Sequence, residues 1–171
     1  MPRYAAFLRG VSPMNARMAD LKACFERLGF SDVKTVLSSG NVVFSSTARS
    51  EKQLLSTIES GMSADLPRSF PVILRRIDHL QKLLSTDPFA EFDVSPQAKR
   101  VVTFLSEPPT AALQLPIELQ GARILAVRDG EVFTAYVPHE DGPVFMSLIE
   151  KTFGKNVTTR TWATVQKCVA V

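Results

Sequence analysis

The segment Ser38-Ser39-Gly40-Asn41-Val42-Val43-Phe44 separates two short apolar runs and indicates how the first half of the chain folds. A strand over 33–37 leads into Ser-Ser-Gly-Asn, and a second strand over 41–45 leads out of it. Glycine and asparagine both tolerate positive φ, so this segment predicts a tight turn between two antiparallel strands. Its two hydroxyls and one amide exceed what a hairpin turn requires, which makes the turn a candidate ligand site.

The pattern on either side of this hairpin predicts the order β-α-β-β-α-β. Residues 3–8 form an apolar run suited to a central strand buried on both faces, and residues 18–28 have helical spacing. After the hairpin, Ser50 and Gln53 form a capping box for a second helix, and residues 71–75 read as another strand. This order is that of a ferredoxin-like split βαβ unit.

The second half of the chain repeats the pattern of the first. Residues 100–105, Arg-Val-Val-Thr-Phe-Leu, match residues 3–8, and Asp129-Gly130-Glu131 opens a second hairpin. A helix over 111–115, a strand over 123–127, a helix that starts at Gly142-Pro143, a strand over 156–159 and a terminal helix over 162–169 complete the prediction.

The predicted fold class is therefore α+β, with two ferredoxin-like (βαββαβ) units whose antiparallel sheets carry helices packed on one face. The predicted domains are a first ferredoxin-like unit over 1–77, a connecting helix and linker over 78–98, and a second ferredoxin-like unit with a terminal helix over 99–171.

Composition is that of an ordinary globular chain. It has 171 residues, 45% of them hydrophobic, a formal charge of +3 and a pI near 9.0, which permits phosphate or nucleic acid partners without requiring them. Two distant cysteines and two histidines are too few for a zinc site, so no metal and no cofactor is expected. Without a long apolar run or a signal-like start, the chain is expected to be cytoplasmic, with no membrane partner.

Five short motifs occur in a characteristic order along the chain. They are Leu8-Arg9-Gly10-Val11, Met18-Ala19-Asp20-Leu21, Ser-Gly-Asn-Val-Val-Phe over 39–44, Pro88-Phe89 and Thr158-Thr159-Arg160-Thr161-Trp162. With these motifs the whole chain resembles the bacterial family catalogued as domain of unknown function 1697, whose members commonly show Leu-Arg-Gly-Ile-Asn, a Gly-Gly turn, Ser-Gly-Asn-Val-Val-Phe and Thr-Thr-Arg-Asn-Trp. The resemblance implies an α+β fold of ferredoxin-like units and no established activity.

This chain departs from that family pattern at three places. Ser12 stands where the family usually has Asn, Pro13-Met14 replaces the Gly-Gly turn, and Thr161 replaces the Asn before Trp162. A ligand held by those loop groups in relatives need not be bound in the same way here.

Polar residues at predicted strand ends suggest a site for a small anionic ligand, phosphate-bearing and nucleotide-like, or for nucleic acid phosphates. Hydroxyls and a guanidinium beside a helix N-terminus are groups that bind anions. Trp162, between Arg160 and Lys167, is a candidate stacking residue. The candidate ligand-binding residues are Arg9, Ser38, Ser39, Asn41, Thr158, Thr159, Arg160 and Trp162.

Two alternatives to a ligand site stay open at this point. The same groups are explained structurally if Ser38 and Ser39 satisfy the turn, Thr159 or Thr161 caps the last helix, and Trp162 belongs to the core. The chain is otherwise a protein–protein interaction module without catalytic activity, for which a homo-oligomer is possible and Trp162 or phenylalanines would be the anchors.

The residues with catalytic chemistry do not form a recognisable motif. Cys24 falls in the apolar stripe of a predicted helix, and neither Cys168 nor His79 or His139 is linked to a partner; Glu140-Asp141 beside His139 is expected to face solvent. Walker A, GxGxxG, HExxH, EF-hand and RNP1 patterns are all absent from the sequence. No catalytic residue is assigned, and whether the chain is an enzyme stays open.

Overall fold

The computed structural model describes residues 1–48, 50–109, 113–138, 140, 142 and 144–171. The strands are β1 (Arg3–Leu8), β2 (Ser31–Thr35), β3 (Asn41–Ser45), β4 (Val72–Arg76), β5 (Lys99–Leu105), β6 (Ile117–Leu119), β7 (Ala122–Arg128), β8 (Glu131–Tyr136) and β9 (Val157–Thr161). The helices are α1 (Met18–Arg27), α2 (Glu51–Asp65), α3 (Ile77–Thr86), α4 (Val144–Phe153) and α5 (Trp162–Ala170), with a short 3₁₀ helix at Pro88–Glu91. The α+β class predicted from the sequence is confirmed.

The chain divides into two compact units. Unit 1 comprises Met1–Lys82 together with Thr164–Val171, and unit 2 comprises Leu83–Ala163. The boundaries that the sequence suggests, at 77 and 99, stay a prediction.

Unit 1 contains a four-stranded antiparallel sheet in the order β2-β3-β1-β4, which is the ferredoxin-like arrangement. Helices α1 and α2 pack on one face through Leu21, Phe25 and Ile58. The opposite face of β1 is buried as well, since Phe7 is fully inaccessible. Helix α2 begins at the predicted cap, where the Ser50 hydroxyl accepts a hydrogen bond of 3.0 Å from the Gln53 N–H.

The hairpin between β2 and β3 has a longer loop than the tight turn that the sequence predicts. Strand β2 ends at Thr35, and the last ladder bond joins the Val36 N–H to the Asn41 carbonyl at 2.9 Å. Leu37 then adopts a left-handed conformation with φ of 59°, which a strand cannot continue. The connection is therefore the loop 37–40, and Asn41 belongs to β3.

Unit 2 contains a five-stranded antiparallel sheet in the order β6-β7-β8-β5-β9. The part β7-β8-β5-β9 has the same order as β2-β3-β1-β4 of unit 1. The correspondence extends to single hydrogen bonds, because Leu8 N–H donates to the Gly40 carbonyl and Leu105 N–H to the Gly130 carbonyl, both at 2.8 Å. The predicted structural repeat of two ferredoxin-like units is confirmed.

The segment between β5 and β7 differs from the predicted helix over 111–115. Residues 110–112 lie outside the described residues, residues 113–116 are not helical, and the extra edge strand β6 follows them. Prolines at 108, 109 and 116 lack an N–H donor and disfavour a helix there. On this sheet α4 packs against β6 and β7 through Leu148 and Ile149; Pro143, its predicted first residue, is also outside the described residues.

Strand β9 extends to Thr161, two residues beyond the predicted end of the last strand at 159. Thr158, Thr159 and Arg160 therefore lie inside a strand, and α5 begins directly after it at Trp162. The β-branched threonines fit this strand, whose side chains alternate between the two faces of the sheet.

Candidate functional site

Three segments meet at the end of the unit 1 sheet where β1 finishes. The Leu8–Gly40 bond joins β1 to the loop 37–40, and the Arg9 N–H donates a 2.9 Å hydrogen bond to the Pro71 carbonyl just before β4. A Cβ on Gly40 would stand 2.8 Å from the Val11 Cβ, so the loop after β1 packs directly on the hairpin loop. Arg9, Ser38, Ser39 and Asn41 thus lie at one end of one sheet.

Within this group Asn41 has a structural position. Its side chain is fully buried, and Nδ2 donates to the Val36 carbonyl at 2.8 Å and to the Ser39 hydroxyl oxygen at 3.0 Å. These two bonds hold the loop 37–40 in shape. Ser38 and Ser39 are exposed and Arg9 is half-buried, so these three side chains can reach a ligand in solvent.

The loop over 11–17 is held by a residue to which the sequence analysis assigned no role. Asn15 donates from Nδ2 to the Gly10 carbonyl at 2.7 Å, and its Oδ1 accepts from the Ser12 N–H at 2.8 Å. The available signal was an asparagine three residues after a serine in a loop, a spacing typical of side-chain-stabilised turns. The loop delivers Arg17, which is exposed, to the N-cap position of α1, where no side chain caps the helix.

Positive charge is concentrated in unit 1. It carries 13 lysines and arginines against seven aspartates and glutamates, a formal charge of +6, whereas unit 2 has seven against ten, a formal charge of −3. Arg9, Arg17 and Arg68 all lie in segments at the end described above, and the Arg68 guanidinium is held 4.9 Å from the centre of the Phe70 ring. This end of unit 1 therefore favours anions.

An open groove of about 820 Å³ borders the same end of unit 1, beside Pro71. It lies between the last turns of α2 and the start of β4, and serine hydroxyls supply much of its polar lining. The lining residues are Glu59, Ser60, Ser63, Ala64, Ser69, Phe70 and Pro71. None of the eight sequence-predicted residues is among them.

The second predicted group lies in unit 2 and is engaged in bonds within its own sheet. Arg160 is only 8% exposed, and its Nη1 donates to the Thr158 hydroxyl at 2.8 Å and to the Thr159 carbonyl at 2.9 Å. The Thr159 hydroxyl lies 2.8 Å from that of Thr103 on the neighbouring strand. The bonds of Arg160 therefore lie within β9, and the Thr103–Thr159 bond joins β9 to β5.

Trp162 lies in an aromatic cluster of unit 2. Its ring packs edge to face with Phe89 at 5.2 Å and with Phe133 at 6.3 Å, and the residue is 7% exposed. Little of the indole is left for stacking on a base. The predicted residues therefore form two groups, Arg9, Ser38, Ser39 and Asn41 in unit 1 and Thr158, Thr159, Arg160 and Trp162 in unit 2.

Both cysteines considered for catalysis are buried. Burial raises the pKa of the Cys24 thiol, and the nearby Asp65 carboxylate raises it further, so this thiol is a poor nucleophile. Cys168 is buried too, and His139 and Asp141 lie outside the described residues. Described His, Cys, Asp and Glu side chains make no cluster of three suited to a metal ion, and no described helix has the length and apolarity to cross a bilayer.

Comparison with known proteins shows a similar fold in a solved bacterial structure. The conserved bacterial protein SP0830 from Streptococcus pneumoniae superposes with a TM-score of 0.74 at 21% identity, over 99% of this chain and 97% of that one. The family described as "Protein of unknown function (DUF1697)" matches residues 1–133. The chain belongs to this family. A comparison with curated proteins found no match.

Four of the five motifs quoted from the sequence meet in two pairs, one pair within each unit. In unit 1 the Leu8-Arg9-Gly10 motif is bonded to the Ser-Gly-Asn motif through Leu8 and Gly40. In unit 2 the Pro88-Phe89 motif contacts the end of the Thr-Thr-Arg-Thr-Trp motif through Phe89 and Trp162. In this chain these motifs thus join the two loops in unit 1 and contribute to the aromatic cluster in unit 2.

Proposed function

We propose that this chain binds a small phosphate-bearing, nucleotide-like ligand, or nucleic acid phosphates, at the end of unit 1 where β1 and the loop 37–40 meet. Arg9, Ser38 and Ser39 make the direct contacts. Asn41 makes no direct contact and holds the loop 37–40 that carries the two serines. Arg17 adds a further positive charge at the start of α1.

The observation that carries the proposal is that Arg9, Ser38 and Ser39 lie in two segments at the same end of one sheet. The Leu8–Gly40 bond keeps the two segments together, and the packing of Gly40 against Val11 leaves them little freedom to separate. A guanidinium with adjacent hydroxyl donors matches the oxygen atoms of a phosphate group. The formal charge of +6 on unit 1 supports attraction of an anion to this unit.

We propose that the predicted residues of unit 2 mainly stabilise that unit. They are Thr158, Thr159, Arg160 and Trp162. Arg160 and Thr158 bond to each other, and Trp162 is enclosed by phenylalanines. Their role as ligand contacts stays a prediction, and an Arg160→Gln variant tests it beside the variants of unit 1.

The test is a titration of the folded protein with AMP, ATP, ribose 5-phosphate and a single-stranded octanucleotide. A ligand present at 100 times its dissociation constant raises the unfolding free energy by about 2.7 kcal/mol, a shift that thermal denaturation detects readily. Arg9→Gln should weaken binding tenfold or more, because a charged hydrogen bond contributes about 1.5–3 kcal/mol. Adding Ser38→Ala and Ser39→Ala to the Arg9→Gln variant should weaken ligand binding further.

Arg76→Gln is the matched control for Arg9→Gln. It removes the same charge from unit 1, but Arg76 ends β4 at the opposite end of the sheet, where it pairs with Asp78 at 2.9 Å. The affinity of Arg76→Gln for the phosphate-bearing probes should stay within about twofold of the wild type. Arg76 is exposed and distant from the proposed site, so solvent screens its charge. Absence of binding by every phosphate-bearing probe, with the protein folded, would sink the proposal.

The alternative, an assembly module anchored by Trp162, has weaker support because that ring is enclosed within unit 2. A cytoplasmic location remains part of the proposal, supported by the two buried cysteines, Cys24 and Cys168, which form no disulfide in the described part of the chain.

A further inference from the structure

Unit 2 has a half-open cavity of about 400 Å³ at the end of its sheet where β5 finishes. This volume lies within the range of about 300–1,000 Å³ that is typical of small-molecule sites. The cavity is lined from β5, the following segment, the end of α4 and the start of β9. Its described lining residues are Leu105, Ser106, Glu107, Pro108, Pro109, Leu113, Thr152, Phe153, Asn156 and Val157.

The repeat relates this cavity to the candidate site of unit 1. Ser106 donates its N–H to the Asn156 carbonyl at 3.4 Å, as Arg9 donates to the Pro71 carbonyl at 2.9 Å. Ser106 therefore occupies the position that corresponds to Arg9, and a hydroxyl stands in place of the guanidinium. The same end of the two units has opposite electrostatic character.

Glu107 determines that character, because it is the only ionisable residue among the described lining. Its carboxylate is exposed and makes no ion pair with a residue in the part of the chain that the structure describes. Unit 2 as a whole has a formal charge of −3, which adds to the attraction of cations. A cationic group at the rim would find an acceptor in Glu107.

The rest of the lining suits an apolar body. Leu105 and Val157 are buried beneath the cavity, and Phe153 packs against the same core. The Thr152 hydroxyl donates to the Leu148 carbonyl at 2.7 Å, so its oxygen remains available to accept a hydrogen bond. Apolar walls with few polar groups at one side are usual in sites for small amphipathic molecules.

We propose that this cavity is a second binding site, independent of the phosphate site, for a compact ligand with an apolar or aromatic body and a protonated amine. The body lies over Leu105, Phe153 and Val157, and the ammonium group donates to the Glu107 carboxylate. The ligand class is thus opposite in charge to that proposed for unit 1.

The test uses three probes of similar size and different charge: tryptamine, indole-3-ethanol and indole-3-propionate, titrated at pH 7.5 by isothermal calorimetry. Tryptamine should bind most tightly and indole-3-propionate least. Glu107→Gln should weaken tryptamine about fivefold, to near the affinity of the neutral alcohol, as expected for a partly screened charge pair. Glu118→Gln, which removes the same charge from β6, should leave the affinity within about twofold.

A second variant tests whether the ligand occupies the cavity itself, because it fills the cavity and leaves Glu107 in place. Ser106→Phe places a ring at the exposed cavity wall and should abolish binding of all three probes while the circular dichroism spectrum stays that of the wild type. Equal affinities for the three probes, preference for the propionate, no binding at millimolar concentration, or an unaffected Glu107→Gln variant would each overturn the proposal. Arg9→Gln, which tests the other site, should leave tryptamine binding unchanged.

Discussion

The ring of Trp162 meets the ring of Phe89 edge to face, with 5.2 Å between their centroids. The two residues are far apart in the chain, yet in unit 2 they form one packed pair. The short 3₁₀ helix Pro88–Glu91 holds Phe89 in this position, and the first residue of α5 supplies the indole.

A double-mutant cycle should detect this pair directly. Phe89→Leu and Trp162→Leu each remove aromatic surface from a buried cluster and should each lower the unfolding free energy by about 1–3 kcal/mol. The double variant should lose about 0.5–1.5 kcal/mol less than the sum, which is the coupling of an aromatic pair. Urea denaturation followed by circular dichroism measures all four proteins; strict additivity would show that the two rings do not interact.

Gly40→Ala should destabilise unit 1 more than Gly10→Ala does. Both glycines have positive φ, 89° and 82°, so each substitution carries the backbone cost of about 1 kcal/mol. Only at Gly40 would the new methyl group meet other atoms, the Val11 Cβ at 2.8 Å and the Leu8 Cβ at 3.1 Å, whereas nothing lies within 4 Å of a Cβ at Gly10. We expect a further loss of about 1–2 kcal/mol at Gly40 from overpacking. Equal urea midpoints for the two variants would contradict the packing described for this loop.

Thr134→Val should stabilise the protein. The Thr134 hydroxyl is buried and has no hydrogen-bond partner among the described residues, so valine removes a desolvated polar group without changing the shape of the side chain. We expect a gain of about 1 kcal/mol in unfolding free energy. Thr103→Val is the matched control, since it breaks the 2.8 Å bond with Thr159 and should cost about 1 kcal/mol. Thermal denaturation measures both variants. If the unfolding free energy changes with the same sign in both, the prediction is wrong.

Asp78 should contribute to stability in a pH-dependent way. The hydrogen bond from the Arg76 guanidinium lowers the pKa of Asp78 below its usual value. The folded state then binds a proton less readily than the unfolded state, so the contribution is present above the unfolded pKa of about 3.9 and is lost as pH falls through the lowered folded value. The difference in urea midpoint between wild type and Asp78→Asn should be small at pH 6, because both groups are exposed, and should vanish toward pH 2. A difference independent of pH would exclude this pair as its source.

The local sequence determined those elements whose signal lies within a few residues. The apolar run Arg3–Leu8 and the strand Asn41–Ser45 have the predicted bounds, and Ser50 caps α2 as predicted. These features depend on side-chain periodicity and on one short-range hydrogen bond, which are properties of the segment itself. The sheet order follows from the sequence of elements because few connections of this kind pack without crossing.

Tertiary structure decided the bounds of β9 and the position of the cavity, because both depend on atoms that are distant in the chain. Strand β9 includes Thr158 and Arg160 because β5 pairs with it, and within this strand the two side chains bond to each other. Their predicted role as anion contacts stays a prediction. The cavity beside Glu107 is likewise formed by residues from β5, α4 and β9, which are distant in the chain and come together only through packing. The sequence alone determined which residues are polar, apolar or able to turn; only their packing across the sheets decided which of them face one another.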